Sequence, residues 1–144
     1  MTRDDAKWIL GALHAAQAAF YAGEGAEAAV RELLTEDVRW HVPGRNAIAG
    51  THEGIDAVLA YFARRRKFAA RSFRMHPRDL LVGEGDQVAA LTDGTATIAG
   101  EEHHWSTVGL YRLEASRIAE VWLLPLDAEH FDHIWTNPTE QEDP

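Results

Sequence analysis

SFRMHPRDLLVGEGDQVAALTDGTATIAGEEHHWSTVGLYRLEASRIAEVWLLPLD, residues 72 to 127, decides the fold. Its apolar residues recur at period two, and the run is cut by turn signals at Gly83-Glu84-Gly85-Asp86, Ala99-Gly100-Glu101 and Glu114-Ala115-Ser116-Arg117. Those cuts leave four strands of roughly ten residues each. Connections this short join only antiparallel neighbours, because a parallel return needs a crossover of about a dozen residues or more. The second half of the chain therefore reads as a meander.

Working backwards from it, the period changes. Ile55, Val58, Leu59 and Phe62 recur at helical spacing and end in Arg64-Arg65-Arg66-Lys67, read as a solvated helix end whose cations complement the dipole. A loop containing Gly50 and Gly54 precedes it. Val38, Trp40 and Val42 alternate with Arg39 and His41 and stop at Pro43-Gly44, which marks a strand. Further upstream, Ala26, Ala29, Val30, Leu33 and Leu34 outline a short helix. Trp8, Ile9, Ala12, Leu13, Ala16 and Phe20 outline a long one, with Thr2 and Asp4 as candidate caps and Gly23 and Gly25 as terminators. Three helices in the first half and a meander in the second make an α+β fold, one sheet face packed on the helices. A cavity can open where sheet and helices diverge. Residues 1–136 read as one domain and 137–144 as a flexible acidic tail.

Composition narrows the function. Asp and Glu number 23 against 14 Lys and Arg, and a net charge of -9 argues against nucleic acid or anionic membrane as partner. The absence of cysteine removes disulfides, thiolate nucleophiles and thiolate metal ligands. No apolar run reaches the roughly 18 to 20 residues of a membrane span, and Met1-Thr2-Arg3-Asp4-Asp5 is too acidic to open a signal peptide, so a soluble cytoplasmic chain is expected. No nucleophile elbow, phosphate-cradling loop or dinucleotide fingerprint is present. Cofactor-free proton transfer remains.

The candidate residues follow from that. Val121, Leu123, Pro125 and Asp127 share one parity, so Asp127 extends an apolar stripe, where burial raises a carboxyl pKa toward a working value. The same Asp127 precedes Ala128-Glu129-His130-Phe131 and can equally cap a short terminal helix. His41 can act as a base near neutral pH, but parity puts it opposite Trp40, and only one of the two faces inward. Asp93 interrupts an apolar strand beside Gly94, as an inward carboxylate or as an outward residue at a bulge. Trp40, Tyr111 and Trp122 are candidate pocket walls or ordinary packing. His103 and His104 point to opposite faces, and His130 with His133 lacks a third ligand fixed by spacing, so no metal is expected.

Three segments carry a resemblance: Leu33-Leu34-Thr35-Glu36-Asp37-Val38-Arg39-Trp40-His41-Val42-Pro43-Gly44, Ala49-Gly50-Thr51-His52-Glu53-Gly54, and Trp122-Leu123-Leu124-Pro125-Leu126-Asp127. In this element order they resemble the SnoaL-like proteins of the nuclear transport factor 2-like superfamily. The resemblance implies a cone-shaped, curved antiparallel sheet around a hydrophobic pocket (cystatin-like architecture), a homodimer formed through the sheet, a small hydrophobic molecule as partner and no cofactor. It places Asp127 at the last-strand aspartate used by SnoaL-type cyclases and epoxide hydrolases, with His41 near the first-strand base of the ketosteroid isomerases. It lacks the Arg-x-Asp element of the epoxide hydrolases, the nearest stretch being Leu91-Thr92-Asp93. The expected function is acid/base chemistry (cyclisation, isomerisation or dehydration) by Asp127 and His41, with Trp40, Tyr111, Trp122 and Asp93 contacting substrate. The alternatives are a non-catalytic ligand-binding or dimerisation module, and a hydrolase using Asp93 and Asp127.

Overall fold

The computed structural model describes residues 2–136; the tail expected over 137–144 lies outside the described residues. The elements are α1 (Arg3–Tyr21), α2 (Glu27–Leu33), β1 (Leu34–Val42), β2 (Gly50–Glu53), α3 (Ile55–Phe68), β3 (Arg74–Val82), β4 (Gln87–Ile98), β5 (Glu101–Glu114), β6 (Arg117–Pro125) and α4 (Ala128–Trp135). Six strands form one curved sheet in the order β2-β1-β6-β5-β4-β3. The expected α+β class and meander are present.

Local chemistry sets the boundaries. Thr2 opens α1 with a capping box: its hydroxyl accepts from Asp5 N at 3.1 Å, and its own N–H donates to the Asp5 carboxylate at 3.2 Å. Past the last turn of α1, Gly23 takes a φ of 78°, where a side chain would be strained.

Two details differ from the expectation, the β2 strand and the parallel pairing of β1. The Gly50–Glu53 segment is a strand, too short to show a period, that pairs back on β1 with Trp40 opposite His52. A fourth helix, α4, follows the last strand with Asp127 as its cap, the alternative that the sequence offered. And β1 lies parallel to β6, Trp40 beside Val121 and His41 beside Trp122. The crossover rule does not forbid this, because everything from β2 to β5 serves as the connection.

Alternation divides the sheet into two faces. Trp40, Val88, Ala90, Tyr111 and Val121 point inward, where they meet Leu10, Leu13, Phe20 and Tyr21 of α1, Val58 and Phe62 of α3, and Phe131 and Trp135 of α4 in one core. On the outer face, Leu91 lies beside Val108 and Val108 beside Leu124, while Leu110 pairs with Trp122. The outer face thus carries an apolar band across three strands.

Candidate functional site

The inner cavity is built from both halves of the chain. Stripes on α1 and α3 face the concave side of the sheet, and between them remains a space of about 40 Å³, enough for about three waters. Two glycines open it. A Cβ at Gly94 would fall 2.5 Å from the Trp105 ring and one at Gly109 would fall 2.7 Å from the Tyr111 ring, so both aromatic rings lie flat across bare backbone. Trp40, His14, Gln17, Arg65 and Leu123 complete the principal walls.

Arg65 is the most unusual of them. The sequence reading made it part of a solvated helix end, but the side chain continues the α3 stripe of Val58, Tyr61 and Phe62 and is only 6% exposed. Its guanidinium donates from Nη1 to the Tyr21 hydroxyl at 3.2 Å and from Nη2 to the Tyr61 hydroxyl. It sits 4.7 Å from the Tyr61 ring centre, 4.9 Å from Phe73, 5.7 Å from Trp135 and 5.9 Å from Tyr21. Among the described residues no carboxylate pairs with it. Burial pushes the phenols of Tyr21, Tyr61 and Tyr111 above the ordinary tyrosine range, so all three are neutral near pH 7 and none supplies a counter-charge.

His14 and Gln17 stand one turn apart on α1. Burial lowers the His14 pKa, which keeps its imidazole neutral at physiological pH. Gln17 hydrogen-bonds Tyr21, while its side-chain oxygen is buried without a partner among the described residues. Neither residue was expected from sequence. The signal was present in Leu10, His14, Gln17 and Tyr21, which extend an otherwise apolar face at i, i+4, i+7 and i+11.

The expected site residues divide between the two faces. Trp40 and Tyr111 line the cavity, Trp40 being the inward member of its pair with His41. His41 is on the outer face. Its Nε2 lies 2.6 Å from the Glu120 carboxylate, its Nδ1 2.9 Å from the Thr51 hydroxyl, and its ring stacks on Trp122 with centres 5.5 Å apart. Glu120 also approaches Arg39 at 3.6 Å and Arg112 at 3.7 Å. The His41 hydrogen bond first, and then these cations, hold its carboxyl below the usual range against a desolvation that opposes them. Trp122 therefore walls the outer face and not the inner cavity.

Asp93 is also outward, taking a hydrogen bond from the Ser106 hydroxyl at 2.6 Å and an ion pair from Arg78 at 3.1 Å. Asp127 stands outside the cavity as well. The last strand ends at Pro125, Leu126 N donates to Ser106 O at 3.0 Å, and the Asp127 carboxylate accepts from His130 N at 3.0 Å as the N-cap of α4. Parity failed as a guide because the strand stops two residues before the acid. Asp93 and Asp127 have separate partners and neither lines the cavity.

A second, open groove of about 450 Å³ runs between α1 and β3 and shares His14 with the cavity. Leu10, Leu80 and Ala90 form its floor, and Arg3 and Lys7 stand along it.

Comparison with known proteins places this architecture. The sequence profile of the SnoaL-like domain matches residues 14–121. No curated protein matches the sequence. Among solved structures, Bal32a from a soil-derived mobile gene cassette superposes with a TM-score of 0.80 at 24% identity, over 91% of this chain and 98% of that one. An NTF2-like protein from Burkholderia xenovorans LB400 gives 0.76 at 18% identity, over 94% and 99%. A protein described as a SnoaL-like polyketide cyclase from Jannaschia sp. CCS1 gives 0.74 at 18% identity, over 94% of both chains. With the family profile covering most of its length and the sheet, helices and inner cavity arranged as described, the chain belongs to the SnoaL-like domain family of the nuclear transport factor 2-like fold.

Proposed function

We propose that the chain is a small-molecule enzyme of SnoaL-like type, performing cofactor-independent acid/base chemistry (cyclisation, isomerisation or dehydration) on an oxygenated, largely apolar substrate in the inner cavity. The observation that carries this reading is the convergence of a neutral imidazole, His14, and a buried cation, Arg65, on one enclosed space. A neutral imidazole accepts a proton near pH 7, and a fixed positive charge favours the negative charge that then develops on an adjacent substrate oxygen. Trp40 and Tyr111 supply flat apolar walls. His14 thus takes the proton-transfer role that the sequence assigned to Asp127 and His41.

The test is deuterium uptake from heavy water into the acidic C–H positions of a set of aryl ketone probes, followed by NMR. His14→Ala is expected to slow it about a hundredfold or more, with His41→Gln and Asp127→Asn near wild type. Undiminished uptake in His14→Ala removes the assignment. A second reading, a binding domain without turnover, is favoured by one observation: among the described residues no carboxylate lines the cavity. Saturable ligand binding by wild type with no uptake above the solvent rate selects it.

Two copies pair through the outer face of the sheet. The band of Leu91, Val108, Leu110, Trp122 and Leu124, with Leu124 47% exposed, supports this, because a monomer gains nothing from apolar surface in water. Leu124→Glu is expected to yield monomers in analytical ultracentrifugation. A wild type that is monomeric throughout discards the pairing.

A further inference from the structure

A cation taken out of water costs several kcal/mol unless something nearby carries the opposite charge. Arg65 has given up its water, and among the described residues its partners are two neutral phenols and four ring faces. A guanidinium offers five N–H donors. Tyr21 and Tyr61 take one each, and the Nε–H is buried without a partner. Two more cavity residues are similarly left. Among the described residues the Trp40 indole N–H has no acceptor and the Gln17 side-chain oxygen has no donor, although both are buried. Buried polar groups of this kind are rarely left empty, since each has lost its water with no partner in exchange. The Gln17 oxygen is an acceptor and forms no part of an anion site, but two orphan donors and a bare positive charge describe the complement of an oxyanion.

Size and surroundings say how such a molecule would lie. The cavity of about 40 Å³ takes a charged head and not a body. The groove between α1 and β3, about 450 Å³, shares His14 with it as a lining residue, has an apolar floor of Leu10, Leu80 and Ala90, and carries Arg3 and Lys7 in a chain whose net charge is -9. Asp79 also lines the groove, its carboxylate occupied by Leu80 N at 2.8 Å.

We propose that the cavity and groove together bind an organic oxyanion, a carboxylate or a phenolate or enolate of the same chemistry, its charged oxygen on Arg65 and Trp40 and its apolar body past His14 along the groove. This deepens the preceding reading and rests on the cavity being the ligand site. Arg65 is then a specificity residue: a planar fork matched to a carboxylate, kept in the core at a cost in desolvation because the ligand supplies the missing charge.

Calorimetric titration of the full chain tests it with benzoate, para-nitrophenolate and the neutral benzamide as probes. The expected result is one saturable site per chain for benzoate, for the phenolate, or for both, with benzamide at least about tenfold weaker, equivalent to about 1.4 kcal/mol. Whichever anion binds names the source. Arg65→Met, with its fold checked by circular dichroism, is expected to lose that preference, and Arg65→Lys to keep part of it; should the methionine variant fail to fold, the lysine variant and Trp40→Phe carry the comparison. Benzamide binding as tightly as the anions, or anion affinity unchanged in the folded variants, overturns the oxyanion assignment and leaves the cavity as a ligand site. Failure of all three probes to bind the folded wild type overturns both.

Discussion

Replacing Asp127 separates a helix cap from a catalytic acid. In the structure its carboxylate accepts from His130 N at 3.0 Å, and its main-chain oxygen accepts from Phe131 N at 3.0 Å. The α4 helix so started is only eight residues long and anchors Phe131, Ile134 and Trp135 in the core. Asp127→Ala removes the side-chain acceptor and costs about 1 kcal/mol, within about 0.5–2 for N-cap losses. In a domain of this size that lowers the melting temperature by about 3–5 °C. Asp127→Asn keeps an acceptor oxygen of nearly equal capping strength and gives up only the interaction of the charge with the helix dipole, about 0.3–1 kcal/mol at an exposed site. The two variants therefore separate in stability while both retain probe binding and deuterium uptake. Thermal unfolding beside the ketone assay measures this. An asparagine variant that is folded at the assay temperature but has lost uptake would refute the reasoning, because a cap does not need its charge for chemistry.

Gly109→Ala should push the Tyr111 ring from its place, since the new Cβ would lie 2.7 Å from the ring and 2.9 Å from the hydroxyl; a loss of about 1–3 kcal/mol, read from the urea midpoint, is expected from overpacking, and native stability would show that the ring has room to yield. The pH dependence of stability follows from His14 and His52. Burial lowers both pKa values from 6.5, so the unfolded chain binds protons that the folded chain resists. Their contribution is complete above about pH 6.5 and is lost as pH falls through the lower folded values. Replacing both with glutamine should flatten urea midpoints between about pH 7 and pH 5; an unchanged slope would show that neither histidine is responsible.

The architecture could be read from residues 72–127 because period-two alternation and well-placed turns describe a meander almost without reference to the rest. The SnoaL-like resemblance supplied the family. The cavity was less legible, for a physical reason. Alternation fixes relative faces but not which face is inner, so Trp40 and His41 stayed exchangeable until the helices were in place. It also stops applying where a strand ends, which is why Asp127 was carried into a stripe that had already finished at Pro125. Arg65 was hidden by company: between Arg64 and Arg66 it looks like a charged terminus, and only its spacing from Val58 and Phe62 reveals the core stripe. His14 and Gln17 were masked by the alanines around them in α1.

The parallel pairing of β1 with β6 sets how the chain must fold in time. His41 and Glu120, joined across that pair, are 79 positions apart in sequence. Contacts at such separation form only after a large loop has closed, and they slow folding relative to a chain of local hairpins. During synthesis, β1 and β2 emerge as a two-stranded hairpin, marginal by itself, whose central neighbour is β6, the last of the six described strands. The other half of the sheet, β3 to β5, can assemble on its own, but it has no edge shared with the β1–β2 hairpin until β6 arrives between them. Completion of the cavity thereby waits on β6, and a chain cut before β6 would lack the strand that joins the two halves of the sheet.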